Sequence, residues 1–305
     1  MQRRGFIKNS SLGLAALSIG SWDMLELKKK PIVLSLQLYS VREAIWKNPV
    51  AVIEALSKIG YKDSEHAGYN AEKRQFYNYS PTDWKKILSD HGMTMKSGHS
   101  VFGSMHYDMA NKSVTDIWKT TVEDAITAGQ EYIVSPWLDI NLRKNIDDLK
   151  KFLDGFNIAG AYCKSQGIRY GYHNHDFEFN STLDGKLLMD IIMEHTDPSL
   201  VAHQIDIGNM YGGGGHAMDY LKKYPGRYEL MHVKDEIKST NTNNPSEHYE
   251  SCILGKGIIG TIDLIKYARK KSGTYYLIIE QESYQGMDPI AAMKEDYAIM
   301  KSWGY

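Results

Sequence analysis

From residue 31 onward, short segments rich in β-branched and aromatic residues alternate with longer amphipathic segments. Eight of the short segments have the pattern of buried β-strands, namely residues 32–38, 61–66, 93–99, 132–136, 168–173, 201–206, 228–232 and 275–280. Their starts lie about 27 to 47 residues apart, which leaves room for one helix between each pair. This α/β alternation predicts a parallel sheet with crossover helices, and eight such units predict a single (β/α)8 TIM barrel.

The segments between these strands carry helix signals. Pro49, Pro81 and Pro289 each follow an asparagine, serine or aspartate, and proline is favoured at the first helical position behind such a cap. Apolar residues recur at helical spacing within residues 149–156 and again within residues 290–300. No linker rich in proline or serine divides the chain, so we expect one domain over residues 31–305.

The first 30 residues have a different character. Arg3 and Arg4 precede a short apolar run, residues 12–19, and this resembles a bacterial twin-arginine export signal. We therefore interpret residues 1–30 as the signal and expect a periplasmic protein. The alternative, a basic tail on a cytoplasmic protein, leaves the apolar run unexplained. No Ala-x-Ala motif marks a cleavage point, so that point stays open.

Composition narrows the function classes. The chain has 36 basic and 37 acidic residues, which argues against a nucleic-acid binder because such proteins carry a basic surface. A hydrophobic fraction of 42% and a charged fraction of 24% exclude disordered and fibrous classes. No apolar segment of the mature chain is long enough to predict a membrane span. Cys163 and Cys252 are too few for a disulfide framework.

Polar side chains cluster where the predicted strands end. The C-terminal strand ends of a barrel meet at one mouth, where active sites form. These side chains are Glu65, His99, His173, His175, Asp206, His232, Lys234, Glu280 and Glu282. One histidine alone is usually structural, but convergence of imidazoles and carboxylates predicts a shared cation or substrate. Such a donor set suits Mn²⁺, Zn²⁺, Co²⁺ or Fe²⁺.

Several motifs resemble those of the sugar phosphate isomerase/epimerase family, which are barrels similar to xylose isomerase and to class II endonucleases for abasic DNA. The resemblance covers essentially residues 31–305. It rests on residues 36–42 (LQLYSVR), 60–65, 172–179 (YHNHDFEF), 206–209 (DIGN), 232–235 (HVKD), 255–257 (GKG) and 279–280. It implies a xylose isomerase-like TIM barrel that acts on a sugar.

The resemblance also implies a metal site. Ketose epimerases of this family hold one divalent ion with Glu, Asp, His and Glu, one from each of the last four strands. Asp206, His232 and Glu280 match three of these ligands. His173 stands at the position of the missing glutamate, and His175 lies two residues further on the same strand face. We therefore expect one Mn, Zn or Co ion on His173, Asp206, His232 and Glu280, with His175 as an alternative ligand from strand five.

The missing glutamate also bears on catalysis, because the epimerases use two glutamates as a paired acid and base. With an imidazole in place of one carboxylate, we expect Glu280 to be the base. His175 or Glu178 would then protonate the next carbon or a leaving oxygen, and Lys234 would neutralise an oxyanion. Glu178 could instead lie outside the barrel.

Four further residues are predicted to bind substrate. Glu65 and His99 would hold sugar hydroxyls, Trp137 would stack on the sugar, and Asn209 belongs to the strand-six motif. Glu65 could instead pair with a basic residue of the barrel. Residues 212–215, four consecutive glycines, could cradle a phosphate, but a loop near the mouth is favoured because no P-loop lysine follows.

Two reactions fit these residues. The first is isomerisation or epimerisation of a non-phosphorylated keto sugar by metal-assisted removal of the proton next to its carbonyl. The alternative is a lyase that eliminates across C1 and C2 of a 3-keto-glycoside, or a dehydratase of a keto-inositol. A nicotinamide-dependent sugar dehydrogenase would then be the partner that makes the ketone. A non-catalytic sugar-binding barrel and a DNA-repair endonuclease are less favoured.

The export signal makes a direct prediction. In a fusion of residues 1–30 to a reporter protein, changing both Arg3 and Arg4 to lysine should stop translocation, because the route reads the arginine pair. Fractionation of periplasm and cytoplasm measures the outcome, with the unchanged fusion as the control. Periplasmic accumulation of the Lys-Lys fusion would contradict the interpretation.

Overall fold

The computed structural model describes residues 30–239 and 248–305. The predicted export signal therefore lies outside the described residues, apart from Lys30. Among the described residues, no helix has the length and apolar character that a membrane crossing requires.

Eight parallel strands close into a barrel in which each strand pairs with its neighbours in sequence, and β8 pairs with β1. The strands are β1 Val33–Gln37, β2 Asp63–His66, β3 Thr94–His99, β4 Tyr132–Ser135, β5 Arg169–His173, β6 Val201–Asp206, β7 Tyr228–Val233 and β8 Tyr276–Ile279. Each begins and ends within two residues of its predicted position. The TIM-barrel prediction is confirmed.

One helix follows each strand. These are α1 Pro49–Ile59, α2 Pro81–Asp90, α3 Asp116–Ala128, α4 Ile146–Ser165, α5 Leu188–His195, α6 Ala217–Lys223, α7 Thr261–Tyr267 and α8 Pro289–Ser302. Shorter helical segments cover Leu38–Val41, Arg42–Lys47, Ser104–His106, Ile140–Arg143, Phe177–Asn180, Ile207–Gly212 and Ala268–Ser272.

The predicted helix caps are present. The side chains of Asn48, Ser80 and Asp288 each accept a hydrogen bond, at 3.0–3.1 Å, from the backbone N–H three residues later. Each cap satisfies one of the N–H groups that a helix leaves without an internal partner. These helix starts are therefore encoded locally.

The barrel interior has an apolar layer between two polar ones, because at the lower end the buried Asp63 accepts hydrogen bonds from the hydroxyl groups of Tyr276 and Thr94. Side chains alternate across a strand, so Ala202, Gln204 and Asp206 of β6 all point to the interior. The middle layer is apolar, with Ala202, Leu230 and Ile278 in one buried cluster. The upper interior, toward the C-terminal strand ends, is polar. This layering places buried polar groups directly beneath the mouth.

Four antiparallel hairpins extend the loops beyond the strand ends within the described residues. They are Tyr69–Asn70 with Gln75–Phe76, Tyr107–Asp108 with Ser113–Val114, Thr182–Leu183 with Lys186–Leu187, and Glu236–Lys238 with Tyr249–Ser251. The first and last of these contribute residues to cavities at the mouth.

Two of the four consecutive glycines, Gly213 and Gly215, serve close packing. Gly212 ends a short helix, and a Cβ at Gly213 would lie 2.3 Å from the carbonyl oxygen of Asp176. A Cβ at Gly215 would lie 2.7 Å from the side chain of Met210. Glycine is required because two stretches of chain touch here, so the run is neither a P-loop nor a loosely attached loop.

This contact predicts a large difference between neighbouring substitutions. Gly213→Ala should lower the free energy of unfolding by about 1–3 kcal/mol, because the new methyl group meets backbone that cannot move aside. Gly212→Ala is the matched control, since a Cβ there has nothing within 4 Å. Urea denaturation measures both variants. Equal unfolding midpoints for the two variants would refute the packing role.

Candidate active site

A cavity of about 610 Å³ opens at the C-terminal ends of the strands. Its volume lies in the range of small-molecule sites. Aromatic and polar side chains line it, among them Tyr39, Tyr69, His99, His106, Trp137, His173, His175, Asn209, Glu280 and Glu282. Among the described residues, no lysine or arginine lines this cavity. The lining suits a neutral ligand with hydroxyl groups and offers no clamp for a phosphate.

Beneath the cavity floor, the fully buried carboxylate of Glu65 is the centre of a polar network. Its partners are His232 at 2.6 Å, Gln37 and Gln204 at 2.7 Å, His99 at 3.1 Å, and the Ser97 hydroxyl. Burial opposes ionisation, but His99 and His232 hold the pKa of Glu65 well below its usual value. Glu65 is therefore an ionised structural hub that is shielded from the cavity.

His232 lies between two carboxylates. Its Nε2 is 2.6 Å from Glu65, and its Nδ1 is 2.7 Å from Oε2 of Glu280. Burial alone would lower the pKa of His232, but Glu280 and Glu65 raise it well above its ordinary value. Both ring nitrogens therefore donate in this arrangement, and the imidazole is cationic. Coordination of a metal by Nδ1 would require loss of that proton.

Lys234 supplies a second buried cation. Its Nζ lies 3.0 Å from both Asp206 Oδ2 and Glu280 Oε2, and 2.6 Å from Oε1 of Glu282. Burial acts against the charge, but Asp206 and Glu280 raise the pKa of Lys234 well above its usual value. The same pairing, together with His232, lowers the pKa of Glu280 against the effect of its burial. The floor thus holds more carboxylates than cations, since His232 and Lys234 between them contact four carboxylates of the described residues.

The two carboxylate oxygens of Asp206 have different partners. Oδ1 accepts from the backbone N–H groups of Gly208 and Asn209, which caps the short helix after β6. Oδ2 is buried and forms an ion pair with the Lys234 ammonium at 3.0 Å. A divalent cation that used this oxygen as a ligand would therefore replace Lys234.

The described residues contain two overlapping groups that could hold a metal ion. Asp206, His232 and Glu280 form one, and His99, His173 and His232 form the other, with ligand atoms within 4.8 Å of one another in each. His173 therefore falls outside the group that contains both carboxylates, although its Nε2 is 3.9 Å from Asp206 Oδ2. The donor types fit a divalent cation, which would compete with Lys234 for the carboxylate oxygens.

His175 faces the cavity as a neutral base. Its ring packs edge-on against Trp137 with centroids 5.4 Å apart, and its buried Nδ1 has no hydrogen-bond partner. Burial is the main reason that the pKa of His175 falls to about 4. At neutral pH this side chain therefore carries no charge, unlike His232.

The position of Glu178 differs from the predicted one. Its fully buried carboxyl group accepts hydrogen bonds from the Tyr172 hydroxyl, at 2.5 Å, and from the backbone N–H of His175, at 2.9 Å. It does not line the cavity. Burial raises the pKa of Glu178 to about 7. The carboxyl group holds the backbone of His175 in place and does not reach a ligand.

Two other residues also lie deeper than predicted. Glu65 is buried under the floor and pairs with histidines, in place of a substrate hydroxyl or a barrel lysine or arginine. Lys234 is 1% exposed and lies behind the carboxylates. The predicted residues that do line the cavity are His99, Trp137, His173, His175, Asn209 and Glu280. Asp206 and His232 lie directly beneath them.

Several residues of the site were not predicted. Gln204 is the most important, because its Oε1 lies 2.8 Å from both His99 Nε2 and His173 Nδ1. The signal was its position two residues before Asp206, on the same strand face. Tyr69 has no comparable signal, since a hairpin outside the barrel carries it to the cavity.

Comparisons with known proteins agree with this architecture. A family model described as a xylose isomerase-like TIM barrel matches residues 53–303. An inosose dehydratase of Clostridium perfringens is 29% identical over 180 residues, which cover 56% of this chain and 58% of that protein. The chain thus matches little more than half the length of this curated relative.

Two solved structures share the fold. A sugar phosphate isomerase/epimerase from Parabacteroides distasonis has a TM-score of 0.75 at 24% identity, covering 93% of this chain and 98% of that one. A protein named IOLI, described with a bound zinc atom, has a TM-score of 0.67 at 16% identity, with 89% and 98% covered.

Proposed function

We propose a reaction for this chain, which belongs to the xylose isomerase-like TIM-barrel family. The proposed activity is that of a carbon–oxygen lyase, and its substrate is a non-phosphorylated cyclic polyol that carries a ketone. The carrying observation is the asymmetry of the cavity, where an ionised glutamate and a neutral histidine face the same space. The inosose dehydratase relatives support elimination over isomerisation, which came first among the sequence-based predictions.

Glu280 is the proposed base. It lines the cavity and stays ionised because Lys234 and His232 stabilise its charge. When Glu280 takes the proton next to the substrate ketone, its own charge disappears and negative charge develops on the substrate. Lys234 and His232, which contact Glu280 from behind the cavity wall, stay close to that new charge and stabilise it electrostatically.

Glu280 can also deliver the proton that it has taken to the leaving oxygen of the substrate. With a pKa of about 4, His175 is a poor proton carrier at neutral pH, but its ring can hydrogen-bond a departing oxygen. Glu280 would therefore pass the proton it has taken to the leaving oxygen as the carbon–oxygen bond breaks. The products are an unsaturated ketone and water or an alcohol, and no oxidant or reductant is needed.

A divalent cation fits the group formed by Asp206, His232 and Glu280. When bound, it would polarise the ketone and stabilise the negative charge that develops on its oxygen. Asp206 would hold it through Oδ2, in place of the ion pair with Lys234, since Oδ1 is committed to the helix cap.

Isomerisation of a keto sugar is the second candidate, and the fold shared with sugar phosphate isomerase/epimerase structures favours it. Both reactions start with the same proton transfer, so the product distinguishes them. The lining argues for a substrate without phosphate in either case. We also propose that a nicotinamide-dependent sugar dehydrogenase makes the ketone. The proposed location of this protein is the periplasm.

The reaction is tested by substitution of the two carboxylates that line the cavity. Glu280→Gln should reduce turnover of a keto-inositol or a 3-keto-glucoside by about 10²–10⁴-fold, because it removes the base. Glu282→Gln is the matched control, since Glu282 also lines the cavity and contacts Lys234. We expect it to keep turnover within about tenfold. NMR of the products in D2O identifies an unsaturated ketone for elimination.

Either of two results would count against the proposal. A saturated isomer labelled with deuterium next to the carbonyl, without loss of water or alcohol, would favour isomerisation. Equal losses for Glu280→Gln and Glu282→Gln would remove the special role of Glu280.

Metal binding has its own test. Protein purified without chelator should contain about one divalent ion per chain by elemental analysis. Asp206→Asn should lose most of it, because the substitution removes a charged ligand oxygen. Trp137→Phe is the control, since Trp137 lines the cavity but offers no ligand atom. Full retention of the ion by Asp206→Asn would overturn this assignment.

A further inference from the structure

A second cavity, of about 410 Å³, lies beside the first. The two cavities share Asn209 and Glu282 in their linings. Its walls come from the short helix after β6, the hairpin after β7 and the loop after β8, which bring Gly208, Glu236 and Ser283 to it. None of the predicted catalytic steps uses this space. A ligand bound at Glu280 could extend past Asn209 into it.

Glu236 is the unusual residue of this cavity. Its side chain lines the cavity and is more than nine-tenths buried, at 7% exposure. Among the described residues, no hydrogen bond to its carboxyl group and no ion pair with it occurs, while Lys234, two residues earlier, pairs with three other carboxylates. The carboxyl group of Glu236 therefore has no partner within the described part of the chain and is open to the cavity, so a ligand that enters the cavity can hydrogen-bond to it.

The chain makes room for this carboxyl group. A Cβ at Gly208 would lie 2.5 Å from Oε1 of Glu236 and 2.8 Å from Cδ of Lys234. Glycine at position 208 therefore lets the carboxyl group pack directly on the helix backbone. Any larger residue at position 208 would displace the Glu236 carboxyl group from its place at the cavity wall.

The surroundings of Glu236 favour the protonated form of its carboxyl group. Burial, with help from Asp206 and Glu282 and against the effect of Lys234, raises the pKa of its carboxyl group to about 8. A protonated carboxyl group donates one hydrogen bond and accepts others, as a sugar hydroxyl also does. The lining, as far as the chain is described, contains one arginine, Arg42, and three further acidic residues, Asp176, Glu250 and Glu282, so acidic groups outnumber the cation.

We propose that the second cavity binds a second sugar ring of the substrate, with Glu236 donating a hydrogen bond to one of its oxygens. This deepens the proposed function, on which it rests, by defining the substrate as a two-ring glycoside. The ring in the first cavity carries the ketone, and the ring in the second is attached through the oxygen that leaves. The volume of the second cavity is within the range for a ring-sized group.

The test compares one-ring and two-ring probes. D-Glucose, cellobiose and maltose are titrated into the full chain, and binding is followed by NMR. In the wild type, at least one disaccharide should bind about tenfold more tightly than glucose. Glu236→Ala should abolish this advantage. Glu236→Gln, which keeps a donor, should retain most of it, and none of the variants should change the affinity for glucose.

A second variant blocks the cavity without touching Glu236. Asp176 is exposed and lines only the second cavity, so Asp176→Trp should also remove the disaccharide advantage by filling the space. This variant keeps the test valid if Glu236→Ala does not fold. The subsite is overturned if no disaccharide binds more tightly than glucose, or if the advantage survives in both Glu236→Ala and Asp176→Trp.

The proposed function is measured separately in the same preparations. Elimination from a one-ring keto-inositol depends on Glu280 and not on the second cavity. Turnover of that substrate without a disaccharide advantage refutes the subsite alone. A disaccharide advantage without elimination from any ketone refutes the lyase and leaves the second binding site.

Discussion

The site depends on one buried carboxylate, Glu65. Its oxygens contact side chains from β1, β3, β6 and β7, so a single charge ties β2 to four other strands of the barrel. Removing one partner of such a buried pair typically costs about 3–5 kcal/mol, because the remaining charge has no compensation. Glu65 thereby fixes His232, and His232 in turn fixes Glu280 through its other ring nitrogen. The residue that faces the cavity is oriented by one that never reaches it.

The charge states of the residues beneath the cavity follow from these contacts. His232 and Lys234 are cations because buried carboxylates surround them, and those carboxylates are ionised for the same reason. Within the described residues, His175 makes no hydrogen bond to a carboxylate through Nδ1, and burial lowers its pKa more than the nearby Asp206 raises it, so it is neutral. His232 and His175, at one mouth of the barrel, thus differ in charge, since the first is cationic and the second is neutral. The difference gives the cavity a charged side and an uncharged side.

Much of the fold could be read locally. Capping residues before Pro49, Pro81 and Pro289 start their helices, and β-rich segments mark all eight strands. The strand-end residues were also found, because parallel strands in a barrel deliver their C-terminal ends to one mouth. The sequence pattern did not predict how deeply each of these side chains lies within the mouth. Glu178 and Lys234 have the same chemistry as residues that line the cavity, yet both lie behind it.

The sequence alone determined the eight βα units, the near-neutral charge and the set of acidic and basic residues at the strand ends. Alternation of side chains along each strand and the capping signals carry this information over a few residues. The tertiary structure decided which of these groups pair, which stay charged and which reach the cavity. Those outcomes depend on distances between residues far apart in the chain, such as the 2.6 Å contact of Glu65 with His232. They also depend on burial, which changes a pKa only once the surrounding residues are in place.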